Sequence, residues 1–257
     1  MQQSEKIKLS SIVIAFNEES NIGRCLNSQL SVFDDVVVIV DSKTTDKTFE
    51  IASNFPNVNC ELVGWKGFVG SKIHALSKVK HEWVLWIDAD EELTPELIDE
   101  LQQFKSSRPK FNSYDVARRA FFLGKWIKHS GWYPSRVTRL FNKKLITFNE
   151  KTVHEHLNIV GEVGHLKNDI NHYTDPTIEH YFSKFNTYTS LAAKELFSKN
   201  RKAGLIDILI RPVFLFLKMY IFRLGFLDGI HGLILAIFSS AYVFTKYSKL
   251  WELNRNK

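Results

Sequence analysis

Three apolar runs in the first ninety or so residues each end in acids. Residues 9–15 (Leu-Ser-Ser-Ile-Val-Ile-Ala) lead to Asn17-Glu18-Glu19, residues 36–40 lead to Asp41-Ser42, and residues 83–87 (Trp-Val-Leu-Trp-Ile) lead to Asp88-Ala89-Asp90-Glu91-Glu92. The runs are short, rich in β-branched residues and nearly free of polar interruption, as in strands buried on both faces of a parallel sheet. Helical patterns are predicted between them, over 19–30, from Thr44 or Thr45 to about Asn54, and over 71–80, with a short strand at 60–63. Strands alternating with helices at this spacing predict a doubly wound, mostly parallel α/β sheet. Thr94-Pro95-Glu96 opens a further helix, with threonine as cap and with proline and an acid in the first turn.

Beyond Lys110 the pattern changes. Strands are expected at 113–122 and 135–141, separated by the aromatic and polar segment 124–134, and Val153-His154-Glu155-His156-Leu157 follows. From about Leu205 the chain is apolar but interrupted. Residues 212–220 carry only Lys218 as a charge, and 233–244 carry none. A spanning helix needs about 20 apolar residues, and Arg223, Asp228 and His231 break any longer window. Amphipathic helices lying in a membrane interface are therefore expected. The organisation expected is a nucleotide-binding half over 1–110, an acceptor-binding and catalytic half of the same domain over 111–200, and a helical, membrane-associating tail over 201–257.

Charge sharpens that division. The net charge is +6, yet residues 199–257 hold ten Lys and Arg against three Asp and Glu, so the basicity belongs to the tail. A basic, apolar tail points to an anionic membrane surface and away from nucleic acid. Cys25 and Cys60 have no metal-ligand spacing and imply a reducing compartment. Residues 1–10 are polar and lack the apolar stretch of a signal peptide, so a cytoplasmic location is expected.

In an open α/β sheet, ligands bind beyond the carboxyl ends of the strands, where the three acidic endings converge. Two carboxylates at Asp88 and Asp90 can hold a divalent cation, and the cation a diphosphate. No G-x-G-x-x-G follows the first strand and no P-loop is present, so phosphates must be met by metal and basic side chains. A nucleotidyltransferase would also use metal-binding acids. It would be expected to carry a basic, Gly-rich loop near the N-terminus, and none follows Ala15.

The stretches Ile12-Val-Ile-Ala-Phe-Asn17-Glu18-Glu19, Val38-Ile-Val-Asp41-Ser42 with Thr45-Asp46, and Trp86-Ile-Asp88-Ala-Asp90-Glu91 resemble glycosyltransferase family 2. Phe122 to Pro134, Arg139-Leu-Phe, Val153-His154-Glu155-His156 and the tail around Gly225 to Gly229 are similar to a bacterial branch of that family. That branch adds glucose in a β-1,4 linkage to a heptose of the lipopolysaccharide inner core.

The resemblance implies a nucleotide-sugar-binding glycosyltransferase A-type fold, an inverting mechanism, a UDP-sugar donor with Mg²⁺ or Mn²⁺, and a lipid-linked saccharide acceptor. It implies a peripheral place on the cytoplasmic face of the inner membrane. By motif, Asn17, Glu18 and Asp41 contact the nucleoside, with Asp41 accepting from the uracil N–H. Asp88 lies near the ribose or the metal, and Asp90 ligates the metal. Glu91 and Glu92 serve the following loop and helix. The family commonly shows Ser-Gly-Ser or Ser-x-Ser-Thr-Asp after the second strand, whereas this chain has Ser42-Lys43-Thr44-Thr45-Asp46, and Lys43 is a departure. Lys72 is the better phosphate candidate.

Inversion needs a general base for the acceptor hydroxyl. Glu155 is the candidate, although in an extended segment His154 and His156 share the opposite face, so one of them is an alternative base or ligand. Asp115, able to pair with Arg118 or Arg119, is a weaker candidate. His129, Trp132, Arg136, Arg139 and His154 are assigned to the acceptor. Trp126, Trp132 and Tyr133 suit stacking on a sugar, and Arg136 and Arg139 either bind acceptor phosphates or pair with acids.

Overall fold

The computed structural model describes residues 6–148, 157–159 and 161–255. Its first unit comprises the chain up to Arg118 together with Ser135–His172. Strands β1 (Leu9–Ala15), β2 (Asp35–Asp41), β3 (Val58–Val63) and β4 (Trp83–Asp88) alternate with helices α1 (Ile22–Asn27), α2 (Thr48–Ser53) and α3 (Gly67–Lys78). β1 pairs in parallel with both β2 and β4, and β3 pairs in parallel with β2. β5 (Glu91–Leu93), α4 (Pro95–Lys105), β6 (Ser113–Phe122), β7 (Lys125–Trp126), β8 (Ser135–Asn142), β9 (Ile146–Phe148), β10 (Leu157–Ile159) and β11 (Val163–Asp175) follow.

The main sheet runs β3-β2-β1-β4-β8-β6-β11-β5, with β7 on β6. The expected parallel arrangement holds for its first four strands. β8 is antiparallel to β4 and to β6, and β5 is antiparallel to β11, which makes the sheet mixed. β9 and β10 form a separate antiparallel pair.

Alternation along the parallel strands explains their apolar density. Val36, Val38 and Val40 of β2 pack with Ile22, Cys25 and Leu26 of α1 and with Leu97, Leu101 and Phe104 of α4. Val37 and Ile39 face the other way, with Trp86, Phe141 and Ala75 of α3. Both faces are covered, so strand positions are mostly apolar, and a polar side chain there is best bonded internally. Ser10 satisfies that rule: its hydroxyl donates to Asp35 at 2.9 Å in a fully buried setting. Thr94 caps α4 as expected, accepting from the Leu97 N–H at 3.3 Å. The second helix begins at Thr48, later than predicted, and just before it Asp46 Oδ1 accepts from the Thr48 N–H at 3.0 Å. Glu91 and Glu92, expected in a loop before a helix, instead form β5, because residues 91–93 pair with β11.

The second unit joins residues 119–134 to 173–257, so the aromatic segment between the predicted strands shares a core with the C-terminal helices. That core is Phe122, Ile127, Met219, Leu235 and Ala236, with Trp132 and Tyr181 against it. Its helices are α5 (Ile178–Ser198), α6 (Arg211–Leu217), continued on both sides by π-helical turns over Ile206–Ile210 and Lys218–Phe222, and α7 (Ile230–Arg255). Gly232 is required where α7 meets the preceding 3₁₀ turn, since a Cβ there would lie 1.9 Å from the Gly225 carbonyl oxygen.

α7 is long and apolar enough to cross a bilayer by length and composition alone. It is nevertheless tied to α5: Phe238 lies 5.0 Å from both Tyr181 and Phe182, and Lys249 Nζ donates to Asn186 Oδ1 at 2.7 Å and to Thr189 Oγ1 at 2.8 Å. The segment before α7 exposes large apolar side chains, among them Leu205 (76% exposed), Phe222 (72%) and Ile206 (69%). A surface of that kind marks a membrane or protein contact.

Candidate active site

The site lies within the first unit, at the carboxyl ends of β1, β2 and β4. The loops after β1 and β2 are stitched together. Asn17, in a left-handed conformation (φ 53°), accepts from the Thr45 N–H at 2.9 Å. The Glu18 N–H donates to Thr48 Oγ1 at 2.7 Å, and the Glu19 N–H to Asp46 Oδ2 at 3.0 Å. Glu18 itself accepts from Asn21 Nδ2 at 2.8 Å. These bonds use the very residues the motif reading assigned to the nucleoside. Asn17 and Glu18 thus hold the loops that shape the floor of the site.

Asp41 ends β2 and is 8% exposed. Its Oδ1 accepts from the Lys43 N–H at 2.9 Å, which fixes the carboxylate. Among the described residues Oδ2 takes no hydrogen bond and can accept one from a ligand. Lys43 thus contributes its backbone to Asp41.

Around the acidic pair the structure adds what local sequence did not show. Arg139 of β8 is buried, and its guanidinium bridges Asp88 and Glu91, reaching Glu91 Oε1 at 2.7 Å. Glu91 is fully buried, and its Oε2 accepts from the Asp88 N–H at 2.9 Å. Arg118 Nη1 lies 3.9 Å from Glu91 Oε1. The bridge has a definite electrostatic result. Burial pushes the Asp88 carboxyl up, but the Arg139 charge and hydrogen bond outweigh it, Lys72 and His172 add to them, and the group is held at about 2. Burial wins for Glu91, which sits above its ordinary value despite Arg139. The same two acids raise Arg139 further above its ordinary value, against the desolvation that opposes its charge.

Lys72 of α3 lies over the Trp86 ring, 3.3 Å from its centroid. Trp86 and Asp88 leave the same strand two residues apart, and the Lys72 charge is felt at Asp88. A cation thus stands beside the acidic pair, where a diphosphate needs one.

Asp90 faces His172 of β11, its Oδ2 3.4 Å from Nε2. Antiparallel pairing of His172 with Glu91 brings them together. Burial lowers the His172 pKa, but the hydrogen bond and charge of Asp90 more than reverse this, and the ring is raised above its ordinary value. His172 was missed because it lies 82 residues from Asp90 in sequence, and it stands as one of two histidines in a mostly polar strand. Among the described residues no group of three or more His, Cys, Asp and Glu is placed to hold a metal. Asp90 and His172 fit a smaller role. Asp90 would hold a hard cation such as Mg²⁺ together with diphosphate oxygens and water, whereas a direct imidazole ligand from His172 would suit a softer transition metal better.

Both arginines assigned to the acceptor pair with acids, the alternative that the sequence left open. Arg139 is buried on Asp88 and Glu91. Arg136 is half-committed as well, with its Nη1 2.6 Å from Asp115 Oδ1. Asp115 is paired with Arg136 and with His165 Nδ1 at 2.8 Å, because Arg136, opposite Ala117 in the β6–β8 ladder, is its diagonal neighbour on the same face. A carboxylate so engaged is poorly placed to act as a base. His129 and Trp132 belong to the second unit. Asp228, 2% exposed, accepts from the His129 N–H at 2.9 Å and lies 3.1 Å from its Nδ1, which orients the ring. Trp132 packs edge-on to Phe122 at 6.2 Å. Trp126 meets Tyr133 edge-on at 5.4 Å, with Lys128 over its ring. His154, Glu155 and His156 lie outside the described residues.

Three comparisons bear on this arrangement. The chain is 31% identical to the uncharacterized glycosyltransferase RT0209 of Rickettsia typhi, over 96% of this chain and 88% of that one. It is 27% identical to LpsC of Rhizobium meliloti, a lipopolysaccharide core biosynthesis glycosyltransferase, over 96% and 93%. The mannosyltransferase PcManGT from Pyrobaculum calidifontis, solved with GDP-Man and Mn²⁺, has a similar fold (TM-score 0.53, 15% identity, 96% of this chain and 88% of that one). A model of the family described as glycosyl transferase family 2 matches residues 10–161, which carry Asp41, Asp88, Asp90 and Arg139, and the chain belongs to that family, with a glycosyltransferase A-type α/β fold.

Proposed function

We propose that this glycosyltransferase moves a hexose, glucose in the first instance, from a UDP-sugar to a heptose of the lipopolysaccharide inner core, with inversion and with a divalent cation. The observation that carries the reading is the arrangement at the ends of β2 and β4. Asp41 has an oxygen available to a base N–H, and Asp90 with His172 faces the place where a diphosphate would lie beside Lys72. The likeness to LpsC over nearly the whole chain supports a core-saccharide acceptor. A cation bound by Asp90 and His172 would neutralise the charge that develops on the leaving diphosphate. The chain's own residues do the rest. Asp41 selects and orients the nucleoside, Arg139 keeps Asp88 ionised and aimed, Lys72 meets phosphate, and Glu155 takes the proton from the acceptor hydroxyl.

Purified protein with UDP-glucose and Mg²⁺ should hydrolyse the donor slowly and transfer glucose to a heptose-containing lipid acceptor. Chelation should stop both, and Glu155→Gln should lose transfer while still binding UDP. A screen in which another nucleotide sugar is turned over faster would replace the donor, and mass analysis of lipopolysaccharide from a strain lacking the protein would identify the missing residue. An intact core in that strain would remove the acceptor assignment.

The enzyme works, in this reading, on the cytoplasmic face of the inner membrane. The exposed apolar side chains of the 205–230 segment and the basic tail support a peripheral, interfacial attachment. Deleting residues from Leu205 onward should release the protein from vesicles containing anionic lipid, and raised salt should weaken binding of the full chain. Vesicle binding unchanged by the deletion would rule the tail out as the anchor.

A further inference from the structure

The second unit contains an open cleft of about 410 Å³. Its walls come from the loop at Ser130–Trp132, from Tyr181 of α5, from the stretch between Leu215 and Arg223, and from the α7 face bearing Ser239 and Tyr242. No acidic side chain lines it, while Lys218 and Arg223 do. Several other cations of the same unit are paired. Arg211 lies on Asp207 at 2.5 Å, Lys199 on Glu195 at 2.6 Å, and Lys249 is ringed by oxygens of α5. Among the described residues Lys218 and Arg223 have no ion-pair partner.

A second observation is independent of charge. Ser130 is 4% exposed, and its hydroxyl has no hydrogen-bond partner among the described residues. A buried hydroxyl left unpaired is unfavourable, and an oxygen-rich ligand in the cleft would relieve it. The loop is held to the cationic wall, since the Ser130 N–H donates to the Arg223 carbonyl at 2.9 Å. Arg223 is flanked in sequence by Phe222 and Leu224, 72% and 46% exposed. Two unmatched cations, an orphaned hydroxyl and three rings, Trp132, Tyr181 and Tyr242, line a cleft whose cationic wall continues into exposed apolar residues.

We propose that this cleft receives the phosphate head of an anionic membrane amphiphile. Lys218 and Arg223 meet the phosphate oxygens, the rings flank the adjoining polar group, and the acyl chains lie along the exposed apolar side chains. The inference rests on the interfacial reading of this unit and goes beyond it. A diffuse basic film attracts every anionic lipid of equal charge alike, whereas a cleft distinguishes headgroups.

The test compares full-length protein on vesicles of phosphatidylcholine doped with phosphatidic acid or with phosphatidylserine, matched in surface charge. Wild type should bind the phosphatidic acid vesicles at least about fivefold more tightly. Ser239→Phe, which fills the cleft and leaves every charge in place, should abolish that preference, as should Lys218→Gln with Arg223→Gln. Lys246→Gln with Arg255→Gln removes as much charge outside the cleft, and should weaken both lipids equally while keeping the preference. Circular dichroism and melting temperature establish that each variant is folded, and if one is not, the remaining variants carry the comparison.

Equal binding of the two lipids by wild type would overturn the proposal and leave the interfacial reading standing. A preference that survives Ser239→Phe would also overturn it. Absence of any vesicle binding would overturn both readings. Thermal protection by soluble glycerol phosphate as strong as that by the vesicle lipid would assign the cleft to a soluble phosphate and refute the membrane source.

Discussion

Asp90→Ala should lower kcat about a thousandfold while leaving the fold intact. In the structure Asp90 has one described side-chain partner, His172 at 3.4 Å, and both are only partly buried. Its loss removes a modest ion pair, worth about 1 kcal/mol, which corresponds to a fall of a few degrees in melting temperature for a domain of this size. Charge stabilisation at a leaving group is another matter. Removing one such contact elsewhere typically costs a factor of about 10²–10³ in rate, and in the proposed reading the same carboxylate would also bind the cation. Donor hydrolysis and acceptor transfer should fall together, because both break the same bond. Isothermal titration with Mn²⁺ and UDP should show weakened metal-dependent binding. An Asp90→Ala enzyme with wild-type turnover would remove the metal reading, and His172→Ala should reproduce a milder form of the loss.

Arg139→Met is expected to have the largest effect on stability. The guanidinium is buried between Asp88 and the fully buried Glu91. Removing one partner from a buried ion pair typically costs about 3–5 kcal/mol, because the remaining charge is left uncompensated. Thermal or urea unfolding should detect it as a fall of about 10 °C or a matching shift in midpoint. Adding Glu91→Gln to Arg139→Met should restore at least half of the lost stability, since the neutral amide no longer needs a countercharge. Activity should not return with it. Asp88 would still lack the cation that pins its carboxylate, and the KM for the donor should rise in both variants. Full activity in the stability-restored double variant would reduce Arg139 to a structural role.

These two residues also show where sequence reading stops. Asp90 belongs to a seven-residue window, 86–92, in which strand, turn and acids are contiguous, so its place at a strand end follows from local pattern. Arg139 has no such window. The sequence left it between acceptor phosphates and pairing with acids. Register decided for the acids, since β8 pairs with β4 through Leu140 and Leu85, just before the acidic turn. His172 was absent from every candidate set for the same reason. Glu91 and Glu92 were read as loop and helix start because three residues are too few to carry a strand period. Pairing with β11 decided otherwise. The division of the chain likewise escaped a linear reading. Residues 119–134 look like a connection between strands, and they share a hydrophobic core with helices about a hundred residues later.

By itself, the sequence determined the local elements and the chemistry they carry. The β-branched runs, the Thr94 cap and the acids at the ends of β1, β2 and β4 all follow from interactions within a few residues, which is why the α/β fold and the family were readable from it. The tertiary structure alone decided which charges meet: Arg139 with Asp88 and Glu91, Asp90 with His172, Arg136 with Asp115, and, among the described residues, Lys218 and Arg223 with no acid. The physical reason is range. Backbone propensity and capping act over one turn or one strand, whereas a charge in a protein interior is stabilised by whatever the sheet register brings within a few ångströms of it, however far away in the chain that partner lies.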